Sequence, residues 1–96
     1  MEKKIKFPSN LLIPIKMFLE RELIKMKKTE KQVKNDAVIA FFVKKQMVQI
    51  RKALTMIKLG KYGICESCGK MIDTDRLAVK PDTTICIMCE REKEGR

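Results

Sequence analysis

The residues of this chain best suited to do chemistry are its four cysteines, which fall into two pairs. They are Cys65, Cys68, Cys86 and Cys89, so the chain reads C-x₂-C, a gap of 17 residues, and C-x₂-C again. Two residues between thiolates let one tight turn aim both sulfurs at the same ion, and two such turns complete a tetrahedral cage for Zn²⁺. Four sulfur ligands leave no position open for water or substrate. The spacing therefore predicts one structural zinc ion held by these four residues.

The length of the cysteine-containing segment also favours a metal. From Gly63 onward the chain has 34 residues, and a segment this short does not hold a hydrophobic core unaided. Two other uses of the cysteines stay open at this point. One is an iron centre, because tetrahedral sulfur ligation also suits iron, and the other is a pair of disulfides.

Basic residues dominate the composition and are unevenly distributed. The 96 residues contain 22 Lys and Arg against 12 Asp and Glu, a formal net charge of +10. Residues 1–62 contain 16 basic and 5 acidic residues, whereas residues 63–96 contain 6 basic and 7 acidic residues. A basic surface favours nucleic acid or an acidic protein groove as a partner. The simpler interpretation is that the lysines only keep the exposed surface of the helices hydrated and bind no partner.

Other function classes are disfavoured by what the sequence lacks. It has no His, no G-x-S-x-G motif, no phosphate-binding glycine loop and no pair of carboxylates spaced for acid–base work. We therefore predict that the protein is not an enzyme and has neither catalytic nor other cofactor-binding residues. No apolar run approaches the roughly 20 residues of a membrane span. We expect a cytoplasmic protein with no membrane contact, in which thiols stay reduced.

Two long helices are expected to precede the cysteines. Residues 15–59 contain neither Gly nor Pro, and apolar residues recur at intervals of three and four, which is typical of a coiled-coil seam. Two architectures fit this pattern. In the favoured one, residues 11–34 and 37–59 form an antiparallel hairpin that turns near Asn35-Asp36, and the protein is a monomer. In the other, one helix of about 45 residues pairs with a second chain as a helical dimer.

Several large apolar residues lie partly off this seam. We expect most of them to widen the buried face of the helices rather than to remain exposed for a partner. The set is Phe18, Leu23, Ile24, Phe41, Phe42 and Val48.

The overall prediction is a mainly α protein: a helical hairpin followed by a small four-cysteine zinc finger. In the finger, short ribbon strands are expected at Met71-Ile72 and Leu77-Ala78-Val79, with Asp82, Thr83 or Thr84 capping a C-terminal helix. Arg76 is expected to pair with Asp73 or Glu66 rather than to contact a partner. The domains are a flexible lead-in at residues 1–10, a hairpin at 11–60 and the finger at 61–96.

The finger sequence resembles a known family. Residues 53–89 read ALTMIKLGKYGICESCGKMIDTDRLAVKPDTTICIMC, and they are similar to the C4 zinc finger of the DksA/TraR family. The shared features are a helix that ends in A-L-x-x-I-x-x-G-x-Y-G-x-C, followed by C-G-x-x-I, R-L-A-x-x-P and a last C-x-x-C.

The resemblance implies a function as well as a zinc site. Members of this family are regulators that bind bacterial RNA polymerase and present a helical hairpin to the channel through which nucleotides reach the active centre. They alter promoter-complex stability rather than recognise a DNA sequence, and some respond together with ppGpp. The resemblance therefore predicts a zinc-binding transcription regulator that docks on RNA polymerase. The alternative is a sequence-tolerant nucleic-acid-binding protein that uses the Lys-rich helices.

The tip of the hairpin departs from the family pattern. The family carries an acidic D-x-x-D-x-A motif there, whereas this chain has Asn35 and Val38 at the two aspartate positions. Only Asp36 is acidic, and it is out of register. The acidic tip chemistry is therefore not expected in this protein.

Overall fold

A computed structural model describes residues 9–94. The elements are, in order, α1 (Ser9–Gln32), α2 (Ala37–Lys58), α3 (Thr74–Val79) and α4 (Ile87–Glu94). The first two helices pack against each other as an antiparallel hairpin, so the mainly α fold is confirmed and the single continuous helix is wrong. Residues 1–8 of the predicted lead-in lie outside the described residues. The division into a hairpin at 11–60 and a finger at 61–96 stays a prediction.

Asp36 ends the turn between the long helices by capping α2. Its backbone is extended, at φ −108° and ψ 100°, and its carboxylate accepts a hydrogen bond from the backbone N–H of Ile39 at 3.2 Å. Its own N–H donates to the carbonyl of Val33 at 2.8 Å, which closes the turn. A capping carboxylate satisfies a backbone donor that the helix itself leaves unpaired. The Asn35-Asp36 signal therefore marks the turn correctly.

The predicted seam runs along the inner faces of both helices. The buried residues of α2 fall at intervals of three and four, and Leu19 of α1 is fully buried against Ile50 and Ala53. The packed residues around this centre come from both arms. They are Ile15, Leu23, Met26, Leu54 and Ile57. The spacing thus predicted the phase of both arms, because the two faces must meet for either to be buried.

The apolar residues beside the seam were expected in the core, and for most of them this was wrong. Leu23 is partly buried, but the others are exposed on the outside of the hairpin. The exposed members are Phe18, Ile24, Phe41, Phe42 and Val48. Two helices share only one contact line, and among residues 9–94 no third long helix covers their outer faces.

Gly60 ends the second long helix. It adopts φ 75°, a left-handed conformation that costs glycine little. The N–H of Lys61 then donates to the carbonyl of Met56, and the N–H of Gly60 donates to Ile57. This pair of bonds is the Schellman motif, which satisfies the last carbonyls of a helix. It turns the chain sharply into the finger.

The finger differs from its prediction in the middle. Residues Leu77-Ala78-Val79 belong to α3 and not to a strand, because Asp73 caps this short helix by accepting from the N–H of Asp75 at 3.2 Å. Within residues 9–94, pairing of the β type is limited to an isolated antiparallel bridge between Ile64 and Met71. The predicted ribbon is therefore reduced to one bridge.

The last helix also begins later than expected. It starts at Ile87, so Cys86 stands at its N-terminus, and Asp82, Thr83 and Thr84 are buried in the segment before it. Within the described part of the chain, no helix combines the length and the apolar character that crossing a membrane requires.

Candidate metal centre

The fold brings the four predicted cysteine ligands together at one point. Cys65 and Cys68 lie on the turn between Ile64 and Met71, Cys86 directly precedes α4, and Cys89 lies in its first turn. All four Sγ atoms are within 4.8 Å of one another. The Sγ atoms of Cys65 and Cys89 are 3.6 Å apart, and those of Cys68 and Cys86 are 3.7 Å apart.

These distances fit a tetrahedral metal site. With Zn–S bonds of about 2.3 Å, the edge of a regular S₄ tetrahedron is about 3.8 Å. A disulfide would need about 2.05 Å between sulfurs, and the cysteines are free. The alternative of two disulfides is therefore wrong, and the four cysteines are positioned to bind one metal ion.

A tight turn holds the first pair of sulfurs. Gly69 has φ 80° and donates its N–H to the carbonyl of Cys65 at 2.9 Å, while the N–H of Cys65 donates to the carbonyl of Lys70. Inside this turn the N–H groups of Ser67 and Cys68 both lie 3.4 Å from the Sγ of Cys65. The backbone thus presents two donors to a sulfur that must carry negative charge.

The second pair of sulfurs uses the start of a helix. The carbonyl of Cys86 accepts from the N–H of Glu90, which opens α4. The Cys86 sulfur accepts from the backbone N–H of Cys89, and this bond lowers the pKa of the Cys86 thiol. A helix N-terminus favours a thiolate, because its unpaired N–H groups carry partial positive charge.

The pKa values of the other thiols show how charge is shared. Burial opposes ionisation of Cys65, but the N–H donors of Cys86, Cys68 and Ser67 outweigh it and lower the pKa from 9.0 to about 6. The pKa of Cys89 is raised, first by its hydrogen bond with the Cys86 sulfur and then by that with Cys65. Hydrogen bonds thus lower the pKa of the Cys65 and Cys86 thiols and raise that of Cys89. Ligation of a divalent cation requires all of its cysteine ligands as thiolates, so metal binding would be coupled to the release of protons.

A hydrophobic cluster joins the centre to the hairpin. Its buried members include Cys65, and partly buried residues from the base of the hairpin pack against them. The buried members are Tyr62, Cys65, Ile72 and Leu77, and the hairpin contributes Leu12, Ile15 and Ile57. Ile15 and Ile57 also pack in the seam cluster. The finger and the hairpin base therefore share one continuous core.

Polar contacts that the sequence did not predict also join the finger to the hairpin. Asp82 is buried and accepts a hydrogen bond from Gln46 Nε2 at 2.8 Å, while Gln49 Nε2 donates to the Asp82 carbonyl at 2.6 Å. Beside them, Lys52 lies 2.8 Å from the carboxylate of Glu66. The Lys52 hydrogen bond is the first cause of the lowered pKa of Glu66, and a hydrogen bond from Thr84 adds to it.

Arg76 pairs with an acidic residue, although not with the expected one. Its guanidinium donates to the carboxylate of Glu90 on α4, and not to Asp73 or Glu66. Because Leu77-Ala78-Val79 is helical, Arg76 lies on α3 and faces the last helix. This contact ties α3 to the element that carries Cys89.

Tyr62 provides a direct test of burial in the cluster at the base of the hairpin. Its hydroxyl donates to the Pro81 carbonyl at 2.8 Å, and burial, followed by the charge of Asp82, raises its pKa from 10.0 to about 12. The folded state thus favours the neutral phenol. Its contribution to stability is complete below pH 10 and is lost as the pH rises through about 12.

We expect phenolate absorbance to show a midpoint near pH 12 in native buffer and near 10 in denaturant. Tyr62 is the only Tyr in the chain and there is no Trp, so the signal reports this group alone. Asp82→Asn should lower the native midpoint because it removes the second cause of the shift. A native midpoint near pH 10 would show that the ring is not buried in this way.

Fold and site together define a helical hairpin that carries a four-cysteine zinc finger at its base. Residues 60–95 match the family model described as the prokaryotic dksA/traR C4-type zinc finger. The resemblance to the DksA/TraR family is thus confirmed for the finger.

Two solved structures share the fold over most of this chain. The RNA polymerase binding protein and transcriptional regulator Dks from Chlamydia trachomatis matches with a TM-score of 0.77 and 24% identity, over 93% of each chain. The transcription factor DksA2 from Pseudomonas aeruginosa matches with a TM-score of 0.58 and 21% identity, over 91% of this chain and 80% of the other.

A curated relative matches part of the chain. An uncharacterized protein of Aquifex aeolicus (strain VF5) is 46% identical over 46 residues, which is 48% of this chain and 32% of that protein. The match thus spans about a third of the relative's length.

Proposed function

We propose that this protein is a non-enzymatic transcription regulator that docks on bacterial RNA polymerase through its helical hairpin. The observation that carries the proposal is a fold shared over 93% of both chains with a protein described as an RNA polymerase binding protein and transcriptional regulator. The matched DksA/TraR-type finger supports the same reading. The cytoplasm, where the polymerase works, is the corresponding location.

The proposed ligands of the structural zinc are Cys65, Cys68, Cys86 and Cys89, supported by their mutual Sγ distances. The ion would supply a cross-link between the first turn and the start of α4, with no open position for substrate. The finger then fixes the base of the hairpin through the shared cluster. At 1.5 Å per residue, the arms of 24 and 22 residues project about 33–36 Å.

The residues at the hairpin tip favour a docking role over one that uses the acidic motif of the DksA/TraR family. The carboxylate of Asp36 is engaged in capping α2, and Val38 next to it is an exposed apolar side chain. Regulation would thus follow from where the hairpin binds on the polymerase. The seam is filled by the two arms of one chain, which supports a monomer over a helical dimer.

The second candidate is direct, sequence-tolerant binding to nucleic acid. It is favoured by exposed lysines along both arms, such as Lys27, Lys28, Lys44 and Lys45. Binding that rests on phosphate contacts weakens steeply with salt, because it depends on the release of counterions. Salt dependence therefore separates the two candidates.

We expect purified protein to bind immobilised bacterial core RNA polymerase saturably at moderate salt, with nuclease present to remove bridging nucleic acid. Duplex DNA of unrelated sequence should bind weakly and be released as the salt rises. In a purified transcription assay, the protein should change product yield at the concentrations where it binds. Strong DNA binding without polymerase binding would replace the proposal by the second candidate.

A further inference from the structure

An exposed apolar surface lies on α2 next to the turn of the hairpin. It consists of Val38, Phe41, Phe42 and Val48, which are exposed by 66%, 57%, 60% and 55%. These residues point away from the buried side of the same helix, where Val43, Met47 and Ile50 lie. We call this surface the outer face. Large apolar side chains gathered in this way on a small protein mark an interaction site more often than chance exposure does.

The two rings of the outer face are already arranged. Phe41 and Phe42 contact each other edge to face with centroids 5.4 Å apart, and Lys45 Nζ lies 5.6 Å from the Phe41 centroid. A preformed aromatic pair loses little conformational freedom on binding, which is why such residues serve as anchors of interfaces. The ammonium of Lys45 places positive charge at the same point.

The charge around the outer face identifies the chemistry of its partner. Lys25 is paired with Glu22, and beyond it residues 26–45 contain six Lys against two acidic residues, a net charge of +4. One of the two acidic residues, Asp36, already caps α2. A second copy of this chain would bring like charges together, which disfavours self-association through this face. The complementary surface is an apolar hollow with carboxylates at its rim.

The outer face is also too short for a membrane surface. After Val48, this side of α2 carries Lys52 and Thr55 before apolar residues return at Met56 and the C-cap Leu59, so its apolar positions are interrupted by a charged and a polar residue. A helix that lies in a lipid interface presents its apolar side along its length. Duplex DNA offers phosphates to the lysines but no hollow for the rings. A protein pocket fits both features.

We infer that the outer face anchors this protein in an apolar, carboxylate-rimmed pocket of its protein partner, with Phe41 and Phe42 as the inserted side chains. This inference rests on the proposed function, in which that partner is RNA polymerase. It assigns docking to aromatic and basic residues on one side of α2.

The test measures affinity for purified core RNA polymerase with two paired sets of variants. Phe41→Ser combined with Phe42→Ser should weaken binding by at least about tenfold. Lys44→Glu combined with Lys45→Glu should weaken binding and make it less dependent on salt concentration.

The apolar control is Ile13→Ser with Ile24→Ser, two exposed residues of α1. The charge control is Lys58→Glu with Lys61→Glu at the base. Both controls should bind as the unchanged protein does.

Each outcome distinguishes the proposed function from the assignment of docking to the outer face. Unchanged protein that fails to bind polymerase overturns the proposed function and the inference together. Polymerase binding that survives the double Phe change overturns the inference alone.

Binding to phosphatidylglycerol vesicles and to duplex DNA is measured in parallel. Loss of vesicle or DNA binding in the Phe variant, with polymerase binding intact, would assign the outer face to that ligand instead. Circular dichroism and urea midpoints confirm that the variants fold.

Discussion

Replacing Cys86 with Ser is expected to abolish stoichiometric zinc binding and to unfold the finger, while the hairpin keeps part of its helix. Cys86 supplies one sulfur of the cage and directly precedes α4, so its loss removes a ligand from the ion that links the first turn to the helix carrying Cys89. In zinc-finger peptides the metal contributes about 10–16 kcal/mol. That is as large as the whole stability of a typical domain, about 5–15 kcal/mol.

The hairpin should survive in part because its central cluster does not include the metal site. Leu19, Ile50 and Ala53 pack together beyond the finger, whereas Leu12 at the base packs against the residues around Cys65. We therefore expect amide signals from residues 63–94 to collapse to random-coil positions. Signals around Leu19 and Ile50 should shift less, and helical circular dichroism should fall without vanishing.

The measurement is zinc per chain by mass spectrometry, together with an amide spectrum and a thermal unfolding curve. Ser67→Ala is the matched control, since Ser67 lies between two ligands and contributes its backbone N–H, which alanine retains, to the Cys65 sulfur. It should bind one zinc ion and unfold as the unchanged protein does. A Cys86→Ser protein that still held one zinc ion and unfolded at the same temperature would rule out the structural role of the metal.

The parts of the fold that could be predicted are those encoded by local spacing. Two C-x₂-C pairs place sulfurs on tight turns wherever the rest of the chain lies, and the three-and-four spacing fixes which side of each long helix is buried. The turn followed from Asn35-Asp36, where a short polar side chain caps the next helix. These signals act within a few residues, so they are visible in the sequence.

The predictions that were wrong concern features that depend on contacts between residues far apart in the sequence. Leu77-Ala78-Val79 is an apolar run that suits a strand as well as a helix, and the Asp73 cap together with burial of Leu77 decides for the helix. The pairing of Asp82 with Gln46 joins residues 36 positions apart. No local pattern marks such a pair. Exposure of Phe41 and Phe42 likewise depends on how many elements cover the hairpin.

The shared core gives the metal an effect beyond the finger. Ile15 and Ile57 pack in both clusters, so a finger held rigid by zinc also fixes where the hairpin begins and ends. The buried contacts of Asp82 with α2 act in the same direction. The hairpin tip, which lies at the other end of these helices, is thereby held in a defined position relative to the finger. This is what docking through one side of α2 requires.

The seam of the hairpin depends most on Leu19, and Leu19→Ala is expected to lower the free energy of unfolding by about 2–5 kcal/mol. Leu19 is fully buried, with 0% exposure, and packs against Ile50 and Ala53, which are themselves buried. Because few residues are buried along the seam, neighbouring side chains can fill only a small part of the cavity that the truncation leaves. The loss therefore includes both the transfer of apolar surface and the cavity itself.

Urea unfolding of zinc-loaded protein, followed by circular dichroism, measures this loss. Ile13→Ala is the control on the same helix, because Ile13 is 65% exposed and its truncation should change stability by at most about 0.5 kcal/mol. Both variants change an aliphatic side chain of α1 to alanine, so helix propensity changes little in either and burial is the main difference. If Leu19→Ala and Ile13→Ala unfolded at the same urea concentration, the two arms would not be packed along the seam, and the hairpin would lose its role as a rigid docking element.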